Sequence, residues 1–62
     1  MRLYVETMDA IVVEFAADGR VRLQDDDWWR PTVQERRAII HAAQEEIDNL
    51  RELLEVLERS PV

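Results

Sequence analysis

The first third of the chain alternates between apolar and polar positions. Seven apolar side chains occupy odd-numbered positions: Leu3, Val5, Ile11, Val13, Phe15, Val21 and Leu23. Charged side chains such as Glu14 and Arg22 occupy even-numbered positions between them. A period of two is typical of an antiparallel sheet with one buried and one solvated face. The pattern therefore predicts strands over residues 2–24, with the odd-numbered side chains in the core.

A turn is predicted at residues 17–19, where the chain has its only glycine. A two-residue loop would place Phe15 opposite Arg22, which mixes the two faces of the sheet. A three-residue loop avoids this, and its glycine supplies the left-handed conformation of a type I turn with a G1 bulge. That register predicts three cross-strand pairs: Phe15 with Val21, Val13 with Leu23, and Glu14 with Arg22.

Residues 7–9 predict a second tight turn, which gives a three-stranded meander with Val5 opposite Ile11 and Leu3 opposite Val13. These three residues, Thr-Met-Asp, include no glycine, so the turn signal is weak. The alternative is one long strand whose first half pairs with another chain, which leaves a single β-hairpin within the chain. The sequence leaves both arrangements open.

Residues 25–31, with the sequence Asp-Asp-Asp-Trp-Trp-Arg-Pro, follow neither periodicity and are predicted to be a linker. Adjacent side chains of an extended segment point to opposite sides, so one Trp ring is expected at the junction of sheet and helix. Both rings could be structural, or one could mark a site for a basic protein partner, since Trp is enriched at binding hot spots. The candidate partner-binding residues are Asp25, Asp26, Asp27, Trp28, Trp29 and Arg30.

One long helix is predicted over residues 33–59. Thr32 followed by Glu35 is a capping box, Pro31 precedes it, and the next helix-breaking residue is Pro61. Apolar residues repeat with the heptad spacing of a coiled coil, interrupted by Arg36. The candidate oligomer interface consists of Ile40, Ala43, Ile47, Leu50, Leu53, Leu54 and Leu57.

The predicted helix is too long for the predicted sheet. It spans about 40 Å, whereas five-residue strands span about 17 Å. The leucines near its end would therefore be exposed in a monomer, so we expect a homodimer formed through the helix. The basic pair Arg36-Arg37 near the helix start and the acids Glu52 and Glu58 near its end favour antiparallel helices. A parallel pair would stack Arg36 on Arg36, although it would gain contacts between Glu46 and Arg51.

Size and composition point to the same conclusion. The chain has 62 residues, 47% of them hydrophobic, and no Cys. A core of this size rarely supplies more than about 3–5 kcal/mol without a disulfide, a metal or a partner chain. A single domain, residues 1–62, is expected. The sequence has neither the continuous apolar segment of a signal peptide nor an apolar run long enough to span a membrane. We therefore expect a cytoplasmic protein.

The residues needed for catalysis are scarce. The chain has one His, His41, and one Ser, Ser60, and these lie too far apart on one helix to act together. His41 and Glu45 share a helix face without a third metal ligand, and the three consecutive aspartates lack the glycine and the alternation of a calcium loop. We therefore expect no enzyme activity, no metal site and no cofactor.

The net charge of −6 disfavours nonspecific binding to nucleic acid. The leading hypothesis is a small acidic homo-oligomeric regulator or inhibitor that binds a partner protein, of the kind often encoded by phages and mobile elements. The alternative is an antitoxin-like DNA-binding regulator that uses Arg2, Arg20 and Arg22. The chain lacks the Gly-Asn-rich turn and the basic strand of swapped-hairpin antitoxins. A third possibility is a purely structural oligomerisation tag.

Overall fold

The computed structural model describes residues 1–60 and shows an α+β fold: a four-stranded antiparallel sheet followed by one long helix. The strands lie side by side in chain order. Their bounds are β1 Leu3–Val5, β2 Ala10–Phe15, β3 Val21–Leu23 and β4 Trp28–Trp29, and the helix α1 spans Val33–Arg59. The helix bounds confirm the prediction, while the sheet has one strand more than the predicted meander.

The first strand pairs within the chain, which decides between the two open arrangements. Its register differs from the prediction by one residue: Leu3 lies opposite Val12 and Val5 opposite Ala10, rather than opposite Val13 and Ile11. The connection is the cause, because it has four residues, Glu6–Met8 in a single 3₁₀ turn followed by Asp9. Asp9 takes a left-handed conformation (φ 47°), which aspartate tolerates better than most residues.

The hairpin between β2 and β3 has the predicted three-residue loop. Gly19 has a φ of 93°, and the predicted pairs Phe15 with Val21 and Glu14 with Arg22 are confirmed. The predicted pair of Val13 with Leu23 is wrong, because Val12 lies opposite Leu23 and a β-bulge follows. The bulge absorbs one residue, so it reconciles the shifted register of β1 with the hairpin register.

The segment predicted to be a linker contains the fourth strand. In β4, Trp29 pairs with Val21 and Trp28 with Arg22. A turn precedes it, in which the Asp26 N–H donates to the carbonyl of Leu23 at 3.2 Å. Aromatic residues favour pleated, half-buried positions, so the tryptophans extend the sheet instead of crossing to the helix as an irregular segment.

The core lies between the sheet and the first half of α1. Its buried side chains come from the sheet alone, and partly buried apolar residues of α1 cover them from the other side. Reciprocal hydrogen bonds between Thr32 and Glu35 hold the helix start, as the capping box predicted. From residue 44 to residue 60 every side chain is exposed. The buried residues of this core are Leu3, Val5, Val12 and Val21, and the covering helix residues are Ala38, Ile39, Ala42 and Ala43.

Candidate interaction surfaces

An apolar stripe runs along the uncovered part of α1. Its residues recur every three, four or seven positions and therefore share one side of the helix. Their exposed fractions lie between 49% and 61%, which is high for aliphatic side chains aligned in one row. We call this surface the helix stripe and define it as Ile40, Ile47, Leu50, Leu53, Leu54 and Leu57.

Six of the seven residues predicted at an oligomer interface thus lie together on an open face. The seventh, Ala43, is half-buried and packs against the sheet core. It therefore lies at the boundary where the helix leaves its own sheet. Val56 is also exposed, but its helical angle places it more than 100° from the centre of the stripe, at 100° per residue.

The exposed surface of the chain is large for its mass. A folded monomer of 7.4 kDa is expected to expose about 4,200 Å², whereas this chain exposes 5209 Å². The chain is also elongated, with a length of 45 Å and widths of 22 and 19 Å. Both the excess surface and the elongation result from the part of α1 that extends beyond the sheet. The excess of about 1,000 Å² is comparable to the roughly 800 Å² that each partner buries in a stable complex.

The two tryptophans lie on opposite faces of the sheet, as neighbours in one strand must. Trp29 shares the inner face with Val21 and packs partly buried against the core. Trp28 lies on the outer face and is 38% exposed. The guanidinium of Arg20 lies 5.7 Å from the centre of the Trp28 ring, within reach of a cation–π interaction.

The aspartates before β4 are exposed, and two of them border an open depression beside the tryptophans. The Asp27 carboxylate accepts a hydrogen bond of 2.8 Å from the N–H of Trp28, which fixes the entry into the strand. Asp26, Asp27 and Glu35 supply carboxylates to this depression. Apolar side chains complete its lining, principally Met8, Leu23, Trp28 and Trp29. Asp25 does not line it, and Arg30 points to a different site.

Arg30 belongs to a group of charged residues at the tip of the β2–β3 hairpin. Its Nη1 donates to the backbone carbonyl of Asp18 at 2.9 Å, and Nε of Arg20 donates to the Asp18 carboxylate at 2.9 Å. Nη2 of Arg36, from α1, lies 3.7 Å from where a Cβ on Gly19 would be. We call Asp18, Arg20, Arg30 and Arg36 the hairpin-tip cluster.

This cluster holds three guanidinium groups and a single carboxylate. The backbone N–H of Arg20, with help from the guanidinium groups of Arg20 and Arg30, holds the pKa of Asp18 below its usual range. Sequence reasoning missed the cluster because its three arginines come from different parts of the chain: Arg20 directly precedes β3, Arg30 directly follows β4, and Arg36 lies in α1. No spacing in the chain indicates that residues 20, 30 and 36 meet.

The three arginines of the DNA-binding alternative all donate hydrogen bonds to side chains of the strands or of the segments next to them. Arg2 donates to the side-chain oxygen of Gln24 at 3.1 Å, and Nε of Arg22 donates to Glu14 at 2.7 Å. Arg20 is held by Asp18 within the cluster described above. Each guanidinium has five N–H donors, so these hydrogen bonds occupy only part of the donor capacity of the three arginines.

His41 and Glu45 form the predicted neighbouring pair, with Nε2 of His41 3.2 Å from the Glu45 carboxylate. Within residues 1–60, no group of three His, Cys, Asp or Glu side chains has the proximity needed to bind a metal ion. Helix α1 lacks the continuous apolar length needed to cross a membrane. No protein-family model, curated protein or solved structure matches the chain.

Proposed function

We propose that this protein is a non-catalytic, homodimeric protein-interaction module that dimerises through the helix stripe. The exposure of the stripe is the observation that carries the proposal. Eight of the twelve large hydrophobic side chains exposed among the described residues lie on α1, while only four residues form the buried core. An aligned apolar surface of this extent marks an interaction site.

Dimerisation would bury the apolar residues of α1 that the chain's own small core leaves exposed. Full burial of a leucine side chain contributes about 1.5–3 kcal/mol. The stripe residues are about half covered, so each could contribute roughly 1 kcal/mol on association. Two chains that each covered their excess surface would bury about 2,000 Å² in total, within the range of stable dimers.

The sheet of each protomer would remain available to a second protein. The depression beside Trp28 combines aromatic surface with the carboxylates of Asp26, Asp27 and Glu35. Carboxylates accelerate encounter with a basic partner, and the ring supplies contact area that can be desolvated. We propose that the dimer is an accessory regulator or inhibitor that acts by covering such a partner's surface.

Sedimentation equilibrium at micromolar concentration tests the dimer. The wild type should sediment with twice the mass of one chain. Leu54→Glu should sediment as a monomer, because it places a charge in the apolar seam. Val56→Glu is the matched control, because it introduces the same charge at an exposed apolar residue outside the stripe, and it should remain dimeric.

Two outcomes would contradict the proposal. One is a wild type that is folded by circular dichroism yet monomeric throughout the micromolar range. The other is equal dissociation of the Leu54→Glu and Val56→Glu variants, which would show that the stripe has no special role.

A further inference from the structure

We propose that the hairpin-tip cluster of each protomer binds the acidic last turns of α1 from a second copy of this chain, which makes the dimer antiparallel. This inference rests on the proposed dimer and assigns a function to residues outside the helix stripe. It makes the tip of the β2–β3 hairpin part of the interface. The occupant is a second copy, because its helix end complements the cluster in charge and in apolar surface.

The charges of the two surfaces are opposite. The cluster carries three arginines and one aspartate, a net charge of +2 in a chain whose total is −6. Residues 48–59 carry four acids and two arginines, a net charge of −2. A parallel dimer would bring like charges together at both ends, whereas an antiparallel dimer brings each basic end beside an acidic one.

The apolar surfaces also match. Phe15 precedes the hairpin turn, pairs with Val21 on the inner face of the sheet, and is 69% exposed. Its own helix therefore leaves it uncovered, three residues before Asp18 of the cluster. The end of α1 offers the complementary combination, with Leu54 and Leu57 in the stripe and glutamates beside them.

The heptad pattern supplies a register for this contact. When the antiparallel helices cross near residue 45, Ile40 lies opposite Leu50 of the second copy, and residue 36 lies opposite residue 54. The last two turns of one helix then run past the start of the other, where Arg36 joins the cluster. In the same register Glu58 lies opposite residue 32, which is between Arg30 and Arg36 in the chain, and two-fold symmetry forms every such contact twice.

Disulfide trapping tests the orientation, because the natural chain has no cysteine. In the antiparallel register two copies of residue 50 lie about 15 Å apart along the helix axis, too far for a disulfide. Leu50→Cys and Ile40→Cys should therefore each remain uncrosslinked alone. A mixture of the two variants should form a disulfide-linked heterodimer on mild oxidation.

Charge reversal tests the cluster itself. Arg30→Glu should raise the dissociation constant of the dimer about tenfold, since two-fold symmetry removes two surface ion pairs at once. Adding Glu58→Arg to that variant should recover most of the affinity, and added salt should reduce the difference. Arg2→Glu makes the same change in net charge away from the cluster and should alter the dissociation constant less than about threefold.

The outcomes separate this inference from the proposed dimer. A monomeric wild type overturns both. A dimer in which Leu50→Cys crosslinks to itself, or in which the mixture gives no crosslink, overturns the antiparallel contact and leaves the dimer standing. Equal weakening by Arg30→Glu and Arg2→Glu also overturns the role of the cluster.

Discussion

Gly19 at the hairpin tip lies directly against Arg36 of α1, whose Nη2 is 3.7 Å from the position a Cβ on Gly19 would occupy. The φ of Gly19 is 93°, a value that side-chain-bearing residues rarely adopt. The contact couples the conformation of a turn to the position of the helix start. Both features limit what can replace this glycine.

Replacing Gly19 should therefore lower the free energy of unfolding, and a β-branched side chain should lower it most. Gly19→Val should lower the free energy of unfolding by about 1 kcal/mol or more, because a β-branched residue fits positive φ poorly. Gly19→Asn should cost less, since asparagine tolerates this region better. Urea denaturation measures both variants, and equal losses would contradict the turn geometry.

The bulge after Val12 makes a prediction about neighbouring valines. Val12 is 2% exposed, whereas Val13 is only half-buried. Val12→Ala should lower the free energy of unfolding by about 2 kcal/mol, near the value of a fully buried valine, and Val13→Ala should lower it less. A larger loss for Val13→Ala would favour the register with odd-numbered residues inside.

The two tryptophans should respond differently to substitution. Trp29→Ala should destabilise the fold by about 3 kcal/mol or more, as losses of core tryptophan do, while Trp28→Ala should leave the melting temperature nearly unchanged. In the single-tryptophan variants Trp28→Phe and Trp29→Phe, acrylamide should quench Trp28 fluorescence more strongly than that of Trp29. Equally weak quenching would mean that both rings are covered, for example within the dimer, and equally strong quenching would mean that Trp29 is not part of the core.

Asp18 should make the hairpin sensitive to acid. Its pKa is lowered mainly by the N–H of Arg20, so the folded chain binds the proton more weakly than the unfolded chain does. The stabilisation is therefore present above the pKa of the unfolded state and is lost as the pH falls through the lower folded value. The wild type should have a higher melting temperature than Asp18→Asn at neutral pH. This difference should begin to shrink near pH 4, the pKa of an unfolded aspartate, and disappear once the pH is below the lower folded pKa. A difference that does not change with pH would exclude the carboxylate as its cause.

Sequence reasoning succeeded where the decisive interactions are local. The start of α1 depends on Thr32 and Glu35, three residues apart, and their mutual hydrogen bonds are formed as predicted. The length of the loop before Val21 is likewise determined by one glycine and by the need to keep Phe15 and Val21 on one face of the sheet. The stripe could also be found from spacing alone, because helical periodicity fixes which side chains align.

The alternation of residues 3–23 predicted strands but placed Ile11 and Val13 in the core of β2, where the buried residue is Val12. Both Val12 and Val13 are valines, so hydrophobicity does not distinguish them. The choice depends on a left-handed Asp9 and on a bulge, and each shifts the register by one residue. The positions of the left-handed residue and of the bulge are decided only when β2 pairs with β1 and β3 at the same time.

The sequence by itself determined the α+β class, the three-residue hairpin loop, the bounds of the helix and the helix stripe, because each depends on interactions between near neighbours in the chain. Tertiary structure alone decided that Trp28–Trp29 forms a strand, that Val12 lies in the core and that Arg20, Arg30 and Arg36 gather at the hairpin tip. These features require elements distant in sequence to meet. Their positions follow from the packing of the whole sheet against the helix rather than from any local pattern.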